Sequence, residues 1–143
     1  MSHTPYTLDR ARGFFRSAPF MVDLGVEPVA IGEGFIDTVI ELQPRHLQHL
    51  GHVHAGVIAS LADHSMGAAA QTRAPDGRWA VTAEFKLTLM RAAVGQRLIC
   101  HATVLRAGRT LTFTEAEVHT ETGAERTLVA KASGTMALVT AKT

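Results

Sequence analysis

The chain contains a single cysteine, Cys100, so it can form neither an internal disulfide nor a cysteine-rich zinc framework. Aromatic residues make up only 6% of its 143 residues, which leaves the core to Val, Leu, Ile and Ala. No stretch approaches the roughly 18 apolar residues that a membrane-spanning helix needs. The amino-terminal "MSHTPYTLDRARGFF" has no apolar run of the signal-peptide kind. A cytoplasmic, reducing location without membrane contact is the expectation. Charge of one sign is missing too: the formal net charge is +1 and no Lys/Arg block occurs, which excludes a general nucleic-acid binder. The remainder, 46% hydrophobic and 19% charged, suits a single domain over residues 1–143. Such a chain buries about two-thirds of its unfolded surface.

In "TLDRARGFFRSAPFMVDLGV", Thr7 offers a cap, and Leu8, Ala11, Phe14 and Phe15 fall at helical spacing. A short amphipathic helix closing near Pro19 is expected. "VEPVAIGEGFIDTVIEL" alternates around Gly32-Glu33-Gly34 and predicts a hairpin. "QPRHLQHLGHV" has neither period and reads as a loop of about ten residues, a length that is often functional. "HVHAGVIASLADHSMGAAA" is helical in length and composition, and the turn residues "APDG" end it. Beyond it lies nearly continuous strand: "WAVTAEFKLTLM", "QRLICHATVLRAG", "RTLTFTEAEVHTE" and "RTLVAKASGTMALV". In the third of these, Leu111 and Phe113 point one way while Thr110, Thr112 and Thr114 point the other, as in an antiparallel sheet with one buried face. The order helix, two strands, helix, four strands makes an α+β fold, with about six antiparallel strands covering one long helix. Small residues from Ala55 to Ala70 would let the sheet approach that helix closely, and Val57, Ile58, Leu61 and Met66 supply larger contacts.

His46, His49, His52, His54 and His64 lie within nineteen residues, but no recognised ligand spacing is present. No metal site is expected; loop histidines bonded to backbone fit better. Asp63 sits among Leu61, Ala62 and Met66. It is either a paired structural acid or a carboxylate retained for chemistry, because an unpaired one in apolar surroundings is costly. "GHVHAGV" puts small residues where loop becomes helix. Either they merely permit a tight turn, or the amides of Ala55 and Gly56 polarise a carbonyl at the positive end of the helix. Ala55 and Asp63 are eight residues apart, which is about 12 Å along a helix. One carbonyl cannot touch both groups from the same helix, so if both act, the acid must come from a second copy across a two-fold axis.

Several segments together resemble the hotdog-fold acyl-CoA thioesterases, in particular the PaaI-type (phenylacetate-pathway) branch. These are "LGVEPVAIGEGFIDTVIEL", "HLQHLGHVHAGVIASLADHSMGAAA", "AVTAEFKLTLMRAAVGQRL" and "VLRAGRTLTFTEAEV". The most specific element is G-x-x-H-[small]-G followed by L-x-D. The resemblance implies a sheet wrapped around the long helix, a homodimer with shared active sites, often doubled to a homotetramer, and hydrolysis of an acyl-CoA without cofactor. It assigns Asp63 as general base or nucleophile and the Ala55 amide, with Gly56 beside it, as the donor to the thioester carbonyl. Gln48 would help place the thioester or the water, Thr82 would assist the carboxylate or the water from the neighbouring strand, and His54 belongs to the same motif. Leu89, Met90 and Arg91, with Arg106, Gly108, Arg109 and Thr110, would border the CoA pantetheine and phosphates. The family usually has Gly at the position of Ala55 and often Asn at that of Gln48. Ala keeps the amide donor, and Gln is one methylene longer.

Met21, Leu24, Leu61, Met66 and Met90 are either an acyl-pocket lining or plain core, so a medium-chain and an aryl acyl group both remain open. A hotdog hydratase/dehydratase and a non-catalytic acyl-CoA binding module are the rival readings. The first uses an Asp/His pair in another arrangement, and the second would bind acyl-CoA without releasing thiol.

Overall fold

The computed structural model describes residues 2–140. Helix α1 (Leu8–Arg16) is capped by Thr7, whose hydroxyl accepts from the Arg10 amide, and carries Asp9 in its first turn and Arg16 in its last, as the helix dipole favours. A second short helix follows, α2 (Pro19–Leu24), where the sequence pattern suggested that helix ends near Pro19. Proline lacks only an N–H that the first turn leaves unpaired anyway, so here it starts a helix. Gly25, at φ 78°, closes α2 in the left-handed conformation that glycine adopts without strain.

Strands β1 (Val26–Gly32) and β2 (Phe35–Glu41) form the expected hairpin, and α3 (Ala55–Gln71) is the long helix. Then come β3 (Arg78–Leu89), β4 (Arg97–Ala107), β5 (Leu111–Thr122) and β6 (Glu125–Thr140). All pairings are antiparallel, in the order β1-β2-β4-β5-β6-β3. Helix α3 lies in the hollow of this curved sheet, with Leu61, Ala62, Met66, Ala69 and Ala70 fully buried. Its small side chains allow the close approach, and Gly134 of β6 completes it. A Cβ on Gly134 would come within 3.2 Å of Met66, Phe85 and Met136 side chains.

The alternation in β5 is present, but the threonines are the covered face. Thr112 and Thr114 are buried while Leu111 and Phe113 stay more than a third exposed on the outer side. Strand period is two, so the register that turns Ala116 and Val118 inward carries Thr114 and Thr112 with them. Their hydroxyls are not orphaned in this way: Thr114 donates to the Gly134 carbonyl at 2.9 Å. The same economy holds between α3 and β2, where the Ser65 and Thr38 hydroxyls lie 2.7 Å apart beside the buried Cys100. Burial pushes the Cys100 thiol up to about 12.

The loop between β2 and α3 contains a 3-10 turn at Pro44–His46. His46 is buried; its Nδ1 accepts from the Gln43 amide at 2.9 Å, so Nε2–H donates to the Leu24 carbonyl at 2.8 Å. This is the structural use of loop histidines that the sequence suggested.

Helix α1 docks on α3 through Phe15, whose ring meets His64 edge-on at 4.5 Å, and Phe14 stacks on Trp79 of β3. His64 Nε2 is buried with no hydrogen-bond partner among the described residues. Burial holds this imidazole below its ordinary value near 6.5, with the Asp63 carboxylate opposing. The unfolded chain therefore takes up the proton at higher pH than the folded one. The stabilisation from neutral His64 is complete above about pH 6.5 and is lost as pH falls through the lowered folded value. Urea midpoints should drop as the parent is taken from neutrality to about pH 5, and less steeply for His64→Phe, which keeps a ring against Phe15. Equal pH slopes in the two proteins would contradict this.

Candidate active site

The start of α3 is built by its own cap. His54, in extended backbone, ends the loop, and its Nδ1 accepts from the Gly56 amide at 2.8 Å. Its carbonyl accepts from Val57 and Ile58, at 2.9 and 3.4 Å. Of the two amides that sequence reasoning singled out, Gly56's is thus spent inside the cap. Ala55's has no acceptor among the hydrogen bonds of the described residues. Because Nδ1 accepts, the proton of neutral His54 is on Nε2.

The Ala55 end of the helix opens into a cleft of about 650 Å³. Gln48, His54, Ala55, Leu89, Met90 and Arg91 all line it, so the structure brings together six of the residues expected at the site. Two elements deliver them. The loop arrives through a bond from the Val53 amide to the Ala93 carbonyl at 2.9 Å, and the end of β3 supplies Leu89 to Arg91. The Gln48 side-chain carbonyl accepts from the Leu50 amide within the loop, which leaves its NH₂ group as the remaining donor. His49 and His52, weighed in the sequence only as metal ligands, and Ile58, read as core, also line the cleft. The histidine cluster and the length of the loop pointed to the first two; nothing in the apolar pattern of α3 distinguishes Ile58 from core.

Asp63 and Thr82 form a separate group. Asp63 is half-buried on α3, and the Thr82 hydroxyl of β3 donates to its Oδ1 at 2.7 Å. Neither lines the cleft at Ala55. Asp63 Oδ2 has no partner in the described residues, so one oxygen is held and the other is available. Arg106, Gly108, Arg109 and Thr110 stand at the β4–β5 connection, outside the cleft as well. Gly108 is required there, because a Cβ would lie 2.5 Å from the Leu111 carbonyl oxygen that its amide binds. Among the described residues no group of three or more His, Cys, Asp or Glu is arranged to hold a metal ion. Among the described residues no helix is long and apolar enough to cross a membrane.

Comparison with known proteins agrees with this architecture. The family model of the Thioesterase superfamily matches residues 50–127. A thioesterase family protein from Silicibacter pomeroyi superposes with a TM-score of 0.88 at 26% identity, over 91% of this chain and 96% of that one. A conserved protein from Pseudomonas aeruginosa is 33% identical, with a TM-score of 0.77 over 85% and 94% of the two chains. The Escherichia coli PaaI protein from the phenylacetic acid degradation operon has the same fold, with a TM-score of 0.82 at 20% identity over 92% and 91%. The chain belongs to the Thioesterase superfamily and is a hotdog-fold thioester hydrolase.

Proposed function

We propose that residues 1–143 act as one acyl-CoA thioesterase domain that hydrolyses a medium-chain or aryl acyl-CoA to the free acid and CoA. The observation that carries this reading is the division of the candidate machinery. An unpaired amide at Ala55 faces a cleft, and a hydrogen-bonded carboxylate at Asp63 lies outside it on the same helix. A separation of about 12 Å along the axis makes the two complementary only between chains, so the working unit is a homodimer with two shared sites. The free edge of the twelve-residue β3 supports that assembly, because Phe85 and Leu89 remain 36% and 49% exposed along a strand paired on one side only. Doubling to a homotetramer would use other surfaces of the sheet.

In this reading the Ala55 N–H, at the positive end of α3, donates to the thioester oxygen and stabilises its developing charge. His54 Nε2–H and the Gln48 NH₂ group are further donors on the same cleft. Gly56 contributes by holding His54 rather than by touching substrate. Asp63 of the second chain, steadied by Thr82, attacks the carbonyl or takes a proton from water that does so. The carbon–sulfur bond then breaks and the thiolate leaves and is protonated; where Asp63 itself has attacked, water next cleaves the mixed anhydride, releasing the acid and restoring the carboxylate, and no cofactor is needed. Leu89, Met90 and Arg91 border the CoA arm. Arg106, Gly108, Arg109 and Thr110 can join them only from another copy of the chain. A reducing cytoplasm suits the buried free thiol of Cys100.

Two variants test this. Asp63→Asn should abolish thiol release from acyl-CoA, followed with a disulfide dye, while acyl-CoA still protects the protein thermally; near-parent turnover would contradict the role of the carboxylate. Ala55→Pro replaces the amide hydrogen by a ring methylene, at the helix position where proline is favoured and after a residue whose ψ of 135° accepts it. It should leave the melting temperature nearly unchanged and lower kcat about a hundredfold or more, the cost of one oxyanion donor. Parent-like kcat in a folded Ala55→Pro protein would remove the helix end from the mechanism. Binding of acyl-CoA by the parent without any thiol release would mark a binding module instead.

A further inference from the structure

The cleft at Ala55 does not end at Met90. Met90 and Arg91 are also walls of a second cleft of about 680 Å³, whose other sides are Arg126, Thr127 and Leu128 at the start of β6. The register of the sheet causes this meeting. The amides of Met90 and Arg91 both donate to the Val129 carbonyl, at 2.8 and 3.3 Å, which sets the end of β3 beside the first residues of β6. The clefts therefore share a wall. Their far ends are chemically different, with a helix-end amide in the first and the Arg126 guanidinium, across from the shared Arg91, in the second.

Arg126 is not an ordinary solvated arginine. Its Nε donates to Glu121 at 2.7 Å, and Glu121 is a largely buried acid that also pairs with Arg97 at 3.1 Å. That bond fixes one edge of the guanidinium and leaves the rest of a side chain that is 61% exposed. No carboxylate lines the second cleft, and Arg91 has no ion pair among the described residues. A pre-oriented guanidinium beside an unpaired one is an arrangement for phosphate, which arginine binds through parallel N–H groups.

We propose that Arg126, together with Arg91, receives the phosphates of CoA and makes the enzyme selective for CoA thioesters over thioesters of the bare pantetheine arm. The inference rests on the acyl-CoA thioesterase reading and extends it to a residue that neither motif nor spacing marks. Substrate would run from the Ala55 amide past Met90 to the arginine pair, so one wall residue would contact the pantetheine while its neighbour contacts the anionic end.

The test compares the parent, Arg126→Gln and Arg126→Lys. Thiol release is measured from one acyl group carried on CoA and on pantetheine, and free CoA binding is measured by calorimetry. The CoA-over-pantetheine ratio of kcat/KM should fall about tenfold in Arg126→Gln, with CoA affinity weakened by a similar factor, and by less in Arg126→Lys, which keeps a cation facing Glu121. An unchanged ratio with unchanged CoA affinity overturns the inference. A parent that releases no thiol from either thioester defeats the thioesterase reading instead, and the CoA affinities of the variants still decide the role of Arg126.

Discussion

A helix is a rigid rod, and that constraint governs this molecule. Eight residues of α3 hold the Ala55 amide and the Asp63 carboxylate about 12 Å apart, and no side-chain rotation closes such a gap. The amide opens onto a cleft and the carboxylate does not. Much of the remaining structure follows from keeping this rod straight and accessible. Its apolar side sinks into the hollow of the sheet, where Leu61, Met66 and the alanines are fully buried. The stripe with Gly56, Ser60, Asp63 and Gly67 is left less covered. That uncovered stripe and the bare edge of β3 lie on elements joined by the Thr82–Asp63 hydrogen bond, so covering one face would complete the other.

Rigidity at the helix start comes from a single side chain. His54 caps the helix through Nδ1 and thereby fixes its own tautomer. One hydrogen bond thus decides which amide is left for a ligand and which imidazole nitrogen carries a proton. Capping is ordinarily a matter of stability, worth about 1 kcal/mol. In the proposed reaction it would also select chemistry, because satisfying Gly56 leaves Ala55 as the donor at the mouth of the cleft.

Most of the architecture was legible in the sequence because it depends on periodicity. The two-residue alternation of β5, the Thr7 cap and the many small residues of α3 are local patterns, and their order gave the antiparallel sheet over one helix; the hotdog arrangement came from the family resemblance. Other features depend on context. Pro19 is equally a helix stop and a helix start, and only the backbone that follows decides between them. The faces of β5 were correctly separated, but which one is covered is set by Ala116 and Val118 further along the strand. At the candidate site, the family's motifs pointed to Gln48, His54, Ala55 and Leu89 to Arg91, which line one cleft. They could not show that a side chain consumes the Gly56 amide, nor that the β4–β5 connection stays outside the cleft of its own chain. Arg126 escaped notice because its neighbours come from strand register.

The central claim is that each active site is assembled from two chains, and subunit mixing tests it most directly. Asp63→Asn and Ala55→Pro proteins, each inactive alone, would be mixed under conditions that exchange subunits, with exchange verified by mass spectrometry of differently tagged chains. Random pairing makes about half of the dimers mixed, each carrying one intact and one doubly broken site, so activity should return to about a quarter of the parent's. A verified mixture that stays as inactive as its components would contradict a site shared between chains.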